Sequence, residues 1–190
     1  SFDHAVQLSA PIVLKLSDIQ LQHLEQRYTK SNEELRSDFL QTDLNERKQA
    51  SVKRTVKRIE NLYGDLDKKQ HLFIITSIEN SPFKPEAWMT ERVRQQQAVL
   101  QALRKFTTEP ATTEQVTSTL KTLIENIQRS ENADYRAYQL ELSAYTCDFI
   151  AKMHNITTTT QRQHVQKKIK TWETDIHALM LKNHSKTALQ

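Results

Sequence analysis

Apolar residues recur along the chain at three- and four-residue intervals, and capping or turn-forming residues break that rhythm into separate stretches. Val52, Val56, Ile59 and Tyr63 fall at i, i+4, i+7 and i+11, one face of a helix. Gly64 follows where a helix ends most cheaply, because only glycine enters the left-handed region without steric cost. The same reading predicts a short segment from Ala5 to Leu16 that carries Pro11, near its start or as a kink, and a helix from Ser17 to about Leu40. Thr42 and Asp43 cap the helix that ends at Tyr63. A further helix opens at Asp67 and carries Leu72, Phe73, Ile74, Ile75 and Ile78. A strand competes there, since the run is short and β-branched, but the cap favours helix. Pro82 and Pro85 bracket a turn, and Pro85 suits the first turn of the helix carrying Trp88, Val93, Leu100, Leu103 and Phe106. Others are expected from Thr112 through Ile127, from about Tyr135 to Met153, and from Thr158 to about Asn183. The last is drawn by Val165, Ile169, Trp172, Ile176, Leu179 and Met180, with the final six residues frayed.

Four of these starts share one signal, a capping residue followed three positions later by glutamine: Ser17 and Gln20, Asp67 and Gln70, Thr112 and Gln115, Thr158 and Gln161. In a capping box the first side chain accepts from the backbone N–H of the fourth residue. The glutamine reaches back to the N-cap N–H, so two otherwise unpaired donors are satisfied. Each cap contributes about 1 kcal/mol, which explains the motif without any function.

Composition narrows the function classes. One glycine in 190 residues cannot build a P-loop, a dinucleotide-binding turn or a nucleophile elbow. One cysteine excludes an internal disulfide and a Cys-pair zinc site. Leu, Ile, Val and Phe make up about a quarter of the chain, and the net charge is only +4, so the sequence should fold rather than stay disordered. No stretch is long and apolar enough to span a bilayer.

Two motifs carry a resemblance. Leu16-Ser17-Asp18-Ile19-Gln20 and Leu66-Asp67-Lys68-Lys69-Gln70 resemble the Leu-Thr-x-x-Gln motif of the periplasmic Spy and CpxP proteins, with Thr157 to Gln161 a poorer copy. A wider pattern resembles a family of proteobacterial lipoproteins carrying a domain of unknown function. It runs from Leu16–Gln20 through Phe39-Leu40, Glu46-Arg47-Lys48 to Lys57-Arg58, and Leu62-Tyr63-Gly64-Asp65-Leu66. It continues through Trp88, Glu91-Arg92 and Arg94 to Gln97, and ends at Asp134-Tyr135-Arg136. The resemblance implies that the chain is a single helical domain forming the C-terminal part of a longer precursor, held in the bacterial periplasm by an N-terminal lipid. It implies no catalytic residues, because none are known for that family.

Candidate chemistry is sparse. Between Arg47 and Ile59 one helix carries six cations, Arg47, Lys48, Lys53, Arg54, Lys57 and Arg58, and no acid, with the cations mostly on its solvent side. They form either a solvated face or a surface for anionic lipid, lipopolysaccharide phosphates or an acidic protein partner. The helix lacks an aromatic stacking platform and overall charge is nearly balanced, which argues against nucleic acid. Trp88, Glu91, Arg92 and Arg94 form a second cluster, either an anion site in a groove or a structural ion pair, the reading that arginine chemistry favours. His177 and His184, like Cys147 and His154, are two helical turns apart and make a poor metal site without further ligands. Glu25 and Glu141 lack the Glu-x-x-His partner of a di-iron bundle. Cys147, among Tyr145, Phe149 and Ile150, reads as a buried inert thiol.

The expectation is therefore an all-α protein, an antiparallel bundle or stacked helical hairpins of about seven helices, with no cofactor and no enzymatic activity. Its role is structural or interactive within a bacterial envelope lipoprotein. A periplasmic chaperone or stress sensor stands as the alternative, as does anionic-surface binding through residues 47–58.

Overall fold

The computed structural model describes the backbone of residues 2–187 and the side chains of residues 3–181. His184 and the six C-terminal residues expected to fray have side chains outside that range. The fold is all-α. Among the described residues there are eight helices and no strand, one helix more than expected: α1 (Phe2–Val13), α2 (Asp18–Phe39), α3 (Leu44–Tyr63), α4 (Lys68–Glu79), α5 (Pro85–Thr108), α6 (Thr113–Gln128), α7 (Ala133–Asn155) and α8 (Thr159–Thr187). The apolar run at 72–78 is helical. Pro11 sits in the last turn of α1 rather than near its start.

All four capping boxes form. The N–H of Gln20, Gln70, Gln115 and Gln161 donates to the side-chain oxygen of Ser17, Asp67, Thr112 and Thr158 respectively. Each glutamine Oε1 in turn accepts from its N-cap backbone N–H. Asp43 caps α3 by accepting from the N–H groups of Asn45 and Glu46 at 2.7 and 2.9 Å. Asn132 caps α7, accepting from Tyr135 N–H at 3.1 Å.

The chain divides into two compact units. The first comprises residues 1–47 and 82–144, the second residues 48–81 and 145–190, so the boundaries fall within α3, in the turn between α4 and α5, and within α7. In the first unit α1 packs on α6, α2 on α5, and α5 on α6. Val6, Ala10, Leu21, Met89, Leu100, Leu103, Val116 and Tyr138 are its buried apolar residues. In the second unit the core is Ile59, Ile74 and Met153, surrounded by Val56, Tyr63, Leu66, Phe73, Ile78 and Phe149. The Phe73 and Phe149 rings stack at 5.6 Å. Gly64, with φ of +80°, ends α3 as expected; a Cβ there would meet the His164 ring at 3.2 Å. No helix among the described residues is long and apolar enough to cross a membrane.

Candidate functional site

The basic stretch of α3 does not form one uniform patch. Positions along a helix rotate by about 100° per residue, so six cations in twelve positions spread around the axis. Arg47 is half-buried; it pairs with Glu86, and its guanidinium also donates to the Gln41 carbonyl at 2.8 and 3.1 Å. Lys48 pairs with Glu79. Arg54 is half-buried and donates to Ser51 Oγ at 3.0 Å. Lys53, Lys57 and Arg58 are exposed. Beside this face lies a groove of about 530 Å³ whose apolar lining is Val52 and Val56 of α3 and Ile75 of α4. Lys48, Lys53 and Lys57 rim it, with Glu60 the one acid in its wall. Such an arrangement can hold a hydrocarbon segment against the valines while anionic groups meet the ammonium heads.

The helices that make this groove are anchored by a clasp that spacing alone did not reveal. Gln70 and Gln161 are both buried. The Gln70 Nε2 donates to Gln161 Oε1 at 2.9 Å and to the Ile156 carbonyl at 3.0 Å. The Gln161 Nε2 donates to Gln70 Oε1 at 3.0 Å and to the Asp65 carbonyl at 2.7 Å. Because each Oε1 also accepts from its own N-cap N–H, both amides have both donors and both acceptor positions filled. The starts of α4 and α8 are thereby joined about a local two-fold. Nearby, Tyr63 Oη lies 2.9 Å from His154 Nδ1, which gives that histidine a phenol as its partner.

The second cluster is divided among three environments. Glu91, 4% exposed, accepts two parallel bonds from the Arg94 guanidinium, each 2.8 Å. It also accepts from Ser130 Oγ at 2.6 Å and from Gln95 Nε2 at 3.1 Å. The bonds from Arg94, then those from Ser130 and Gln95, outweigh burial and hold the Glu91 carboxyl below its ordinary range. Burial pushes the phenols of Tyr135 and Tyr138 up. Arg92, one residue round the helix from Glu91, turns toward α2 and donates to Asn32 Oδ1 at 3.1 Å and Ser31 Oγ at 3.3 Å. Trp88 packs against both Phe39 and Phe83, with ring centroids at 5.4 and 6.2 Å, and those two rings also meet each other at 6.2 Å. Glu91 and Arg94 form an ion pair, while Arg92 bonds to α2 and Trp88 lies against Phe39 and Phe83.

A profile of a family of unknown function, DUF6279, matches residues 2–136, which is most of the chain. The chain belongs to DUF6279. No curated protein and no solved structure matches it. The DUF6279 match takes in the Glu91 network up to Arg136 and the α3–α4 groove; the α8 half of the glutamine clasp lies beyond it.

Cys147 corrects the sequence reading. It is exposed, because α7 turns Tyr145, Phe149 and Met153 inward and carries position 147 on the opposite side. Ser130, in the turn before α7, reads in sequence only as turn chemistry, and its Oγ does accept from Asn132 N–H at 3.2 Å; its bond to Glu91 depends on where α5 places that carboxylate.

Proposed function

We propose that this chain is a non-enzymatic interaction domain of a bacterial envelope lipoprotein that docks an anionic lipid surface through the α3–α4 groove. The observation that carries the proposal is the conjunction of an apolar floor, Val52, Val56 and Ile75, with the exposed lysines Lys53 and Lys57 on its rim, Lys48 being paired with Glu79. Each lysine near an anionic surface contributes about 1 kcal/mol, and the floor adds burial of hydrocarbon. The envelope setting rests on the resemblance of the Leu16–Gln20 and Leu62–Leu66 segments to lipoproteins, and cell fractionation of the natural gene product tests it: recovery in the soluble cytosolic fraction overturns it.

The docking test is sedimentation of the whole chain with vesicles. Binding to phosphatidylglycerol-containing vesicles and not to neutral ones is expected. Replacing two rim lysines, Lys53→Gln with Lys57→Gln, should weaken it by roughly 30-fold. Equal binding to both vesicle types, or binding untouched by the substitutions, overturns the proposal. A second reading, a periplasmic chaperone of the Leu-Thr-x-x-Gln kind, is favoured by the same apolar floor together with the paired capping-box glutamines. It requires that stoichiometric amounts suppress aggregation of a reduced or heated client; no suppression removes it.

A further inference from the structure

The first turns of α8 are held by their own unit. Gln161 is buried in the clasp, Val165 is half-buried, and Lys168 donates to the carbonyl and side chain of Asn61. From Ile169 to Leu181 every side chain is exposed. Within that stretch Ile169, Trp172, Ile176, Leu179 and Met180 are 52%, 45%, 58%, 63% and 53% exposed. At 3.6 residues per turn these five share a stripe about 100° wide. Their spacing is four, three, four, three from Val165 onward, the alternation of the a and d positions of a heptad with Ile169 and Ile176 at a and Trp172 and Leu179 at d. A half-helix of this length with no tertiary cover is marginal in water, and a stripe of this period is matched by a second helix bearing the same period.

We infer that this stripe is the interface of a parallel, in-register homodimer formed by α8 of two copies of the chain. Charge decides among the occupants. Glu173 lies at an e position on one edge of the stripe, with Lys168 and Asp175 at g positions on the other. In a parallel pair Glu173 of each copy lies beside Lys168 of the other, five residues back, whose ammonium also bonds Asn61 of its own unit, and Asp175 faces the apolar Met180; no like charges meet. An antiparallel pair centred on the stripe sets Glu173 against Glu173 and Asp175 against Asp175, four carboxylates at one crossing. An anionic membrane would meet Glu173 on one edge of the stripe and Asp175 beside Lys168 on the other. The stripe is shorter than a standard interface, so the dimer exchanges with monomer at about micromolar concentration. This surface is separate from the α3–α4 groove, and neither proposal depends on the other.

Sedimentation equilibrium of the whole chain across concentration tests the inference. A monomer–dimer equilibrium is expected, and Ile176→Lys, at a side chain already in water, should weaken it at least tenfold while leaving the thermal melt of the monomer unchanged. Glu173→Lys should also weaken it, and adding Lys168→Glu should restore it. In a Cys147→Ser background, Leu179→Cys should yield an interchain disulfide under mild oxidation, since equivalent d positions adjoin only in the parallel register. A chain monomeric at every concentration, a dimer indifferent to Ile176→Lys, or a dimer that resists the Leu179→Cys crosslink overturns the inference. So does a monomer whose vesicle binding is lost in Ile176→Lys, which would assign the stripe to lipid.

Discussion

The side-chain amides of Gln70 and Gln161 donate to each other and accept from each other, at 2.9 and 3.0 Å, and each also completes the capping box of its own helix. Gln20 makes the same local bond to its N-cap in an exposed setting. The same motif therefore carries different weight at the two places.

Removing Gln161 leaves the buried Gln70 amide short of one donor and one acceptor partner and the Asp65 carbonyl without its bond. Gln161→Ala is expected to cost about 2–3 kcal/mol, and Gln20→Ala no more than about 1 kcal/mol. Because the two glutamines share bonds, Gln70→Ala combined with Gln161→Ala should cost less than the two single losses together, by about 1–2 kcal/mol. Urea unfolding of the four variants measures this. Equal costs at Gln20 and Gln161 would show that the clasp adds nothing to capping.

Glu91 makes stability pH-dependent on the acid side. Its carboxyl is held below the ordinary glutamate value of 4.5 by Arg94, Ser130 and Gln95, so the unfolded chain takes up a proton before the folded one does. The stabilisation is complete above about pH 4.5 and is lost as pH falls through the depressed folded value, with a slope of at most about 1.4 kcal/mol per pH unit. Glu91→Gln should cost about 2–3 kcal/mol at neutral pH and flatten the acid limb. Thermal melts between pH 7 and pH 3 report both; an unchanged acid limb would assign the pH dependence elsewhere.

Among the described residues Gly64 is the one position with a left-handed backbone. Gly64→Ala is expected to cost about 1–2 kcal/mol from the left-handed φ, with a further contribution from the approach to His164 at 3.2 Å. Adding His164→Ala should recover only the contact part. Complete recovery, read from denaturation midpoints, would mean that crowding and not φ sets the cost.

Cys147 should react with an aromatic disulfide reagent in the native protein within a few-fold of its rate in denaturant, because the side chain is exposed on α7. A thiol that reacts only on unfolding would contradict that placement.

Periodicity and capping chemistry are local, and they determined what local physics can: the all-α class, the starts at Ser17, Asp67, Thr112 and Thr158, and the end of α3 at Gly64. The Glu91–Arg94 pair was legible as well, because residues three apart on a helix must adjoin. The α1 boundary was missed: the chain is helical from Phe2 and stays so through Pro11, although proline removes one i→i−4 bond, and ends at Val13 rather than Leu16. What only the tertiary structure decided depends on which faces meet. Lys48 and Arg47 are neutralised by Glu79 and Glu86, more than thirty residues away, which leaves the lysine rim around Val52, Val56 and Ile75 as the open part of the basic helix. Two of four identical caps were brought into contact, and the others were not. The stripe at Ile169–Met180 has the period of a packed face, yet it stands in water. A sequence period states that a helix has an apolar side; only the arrangement of the other helices states whether anything covers it.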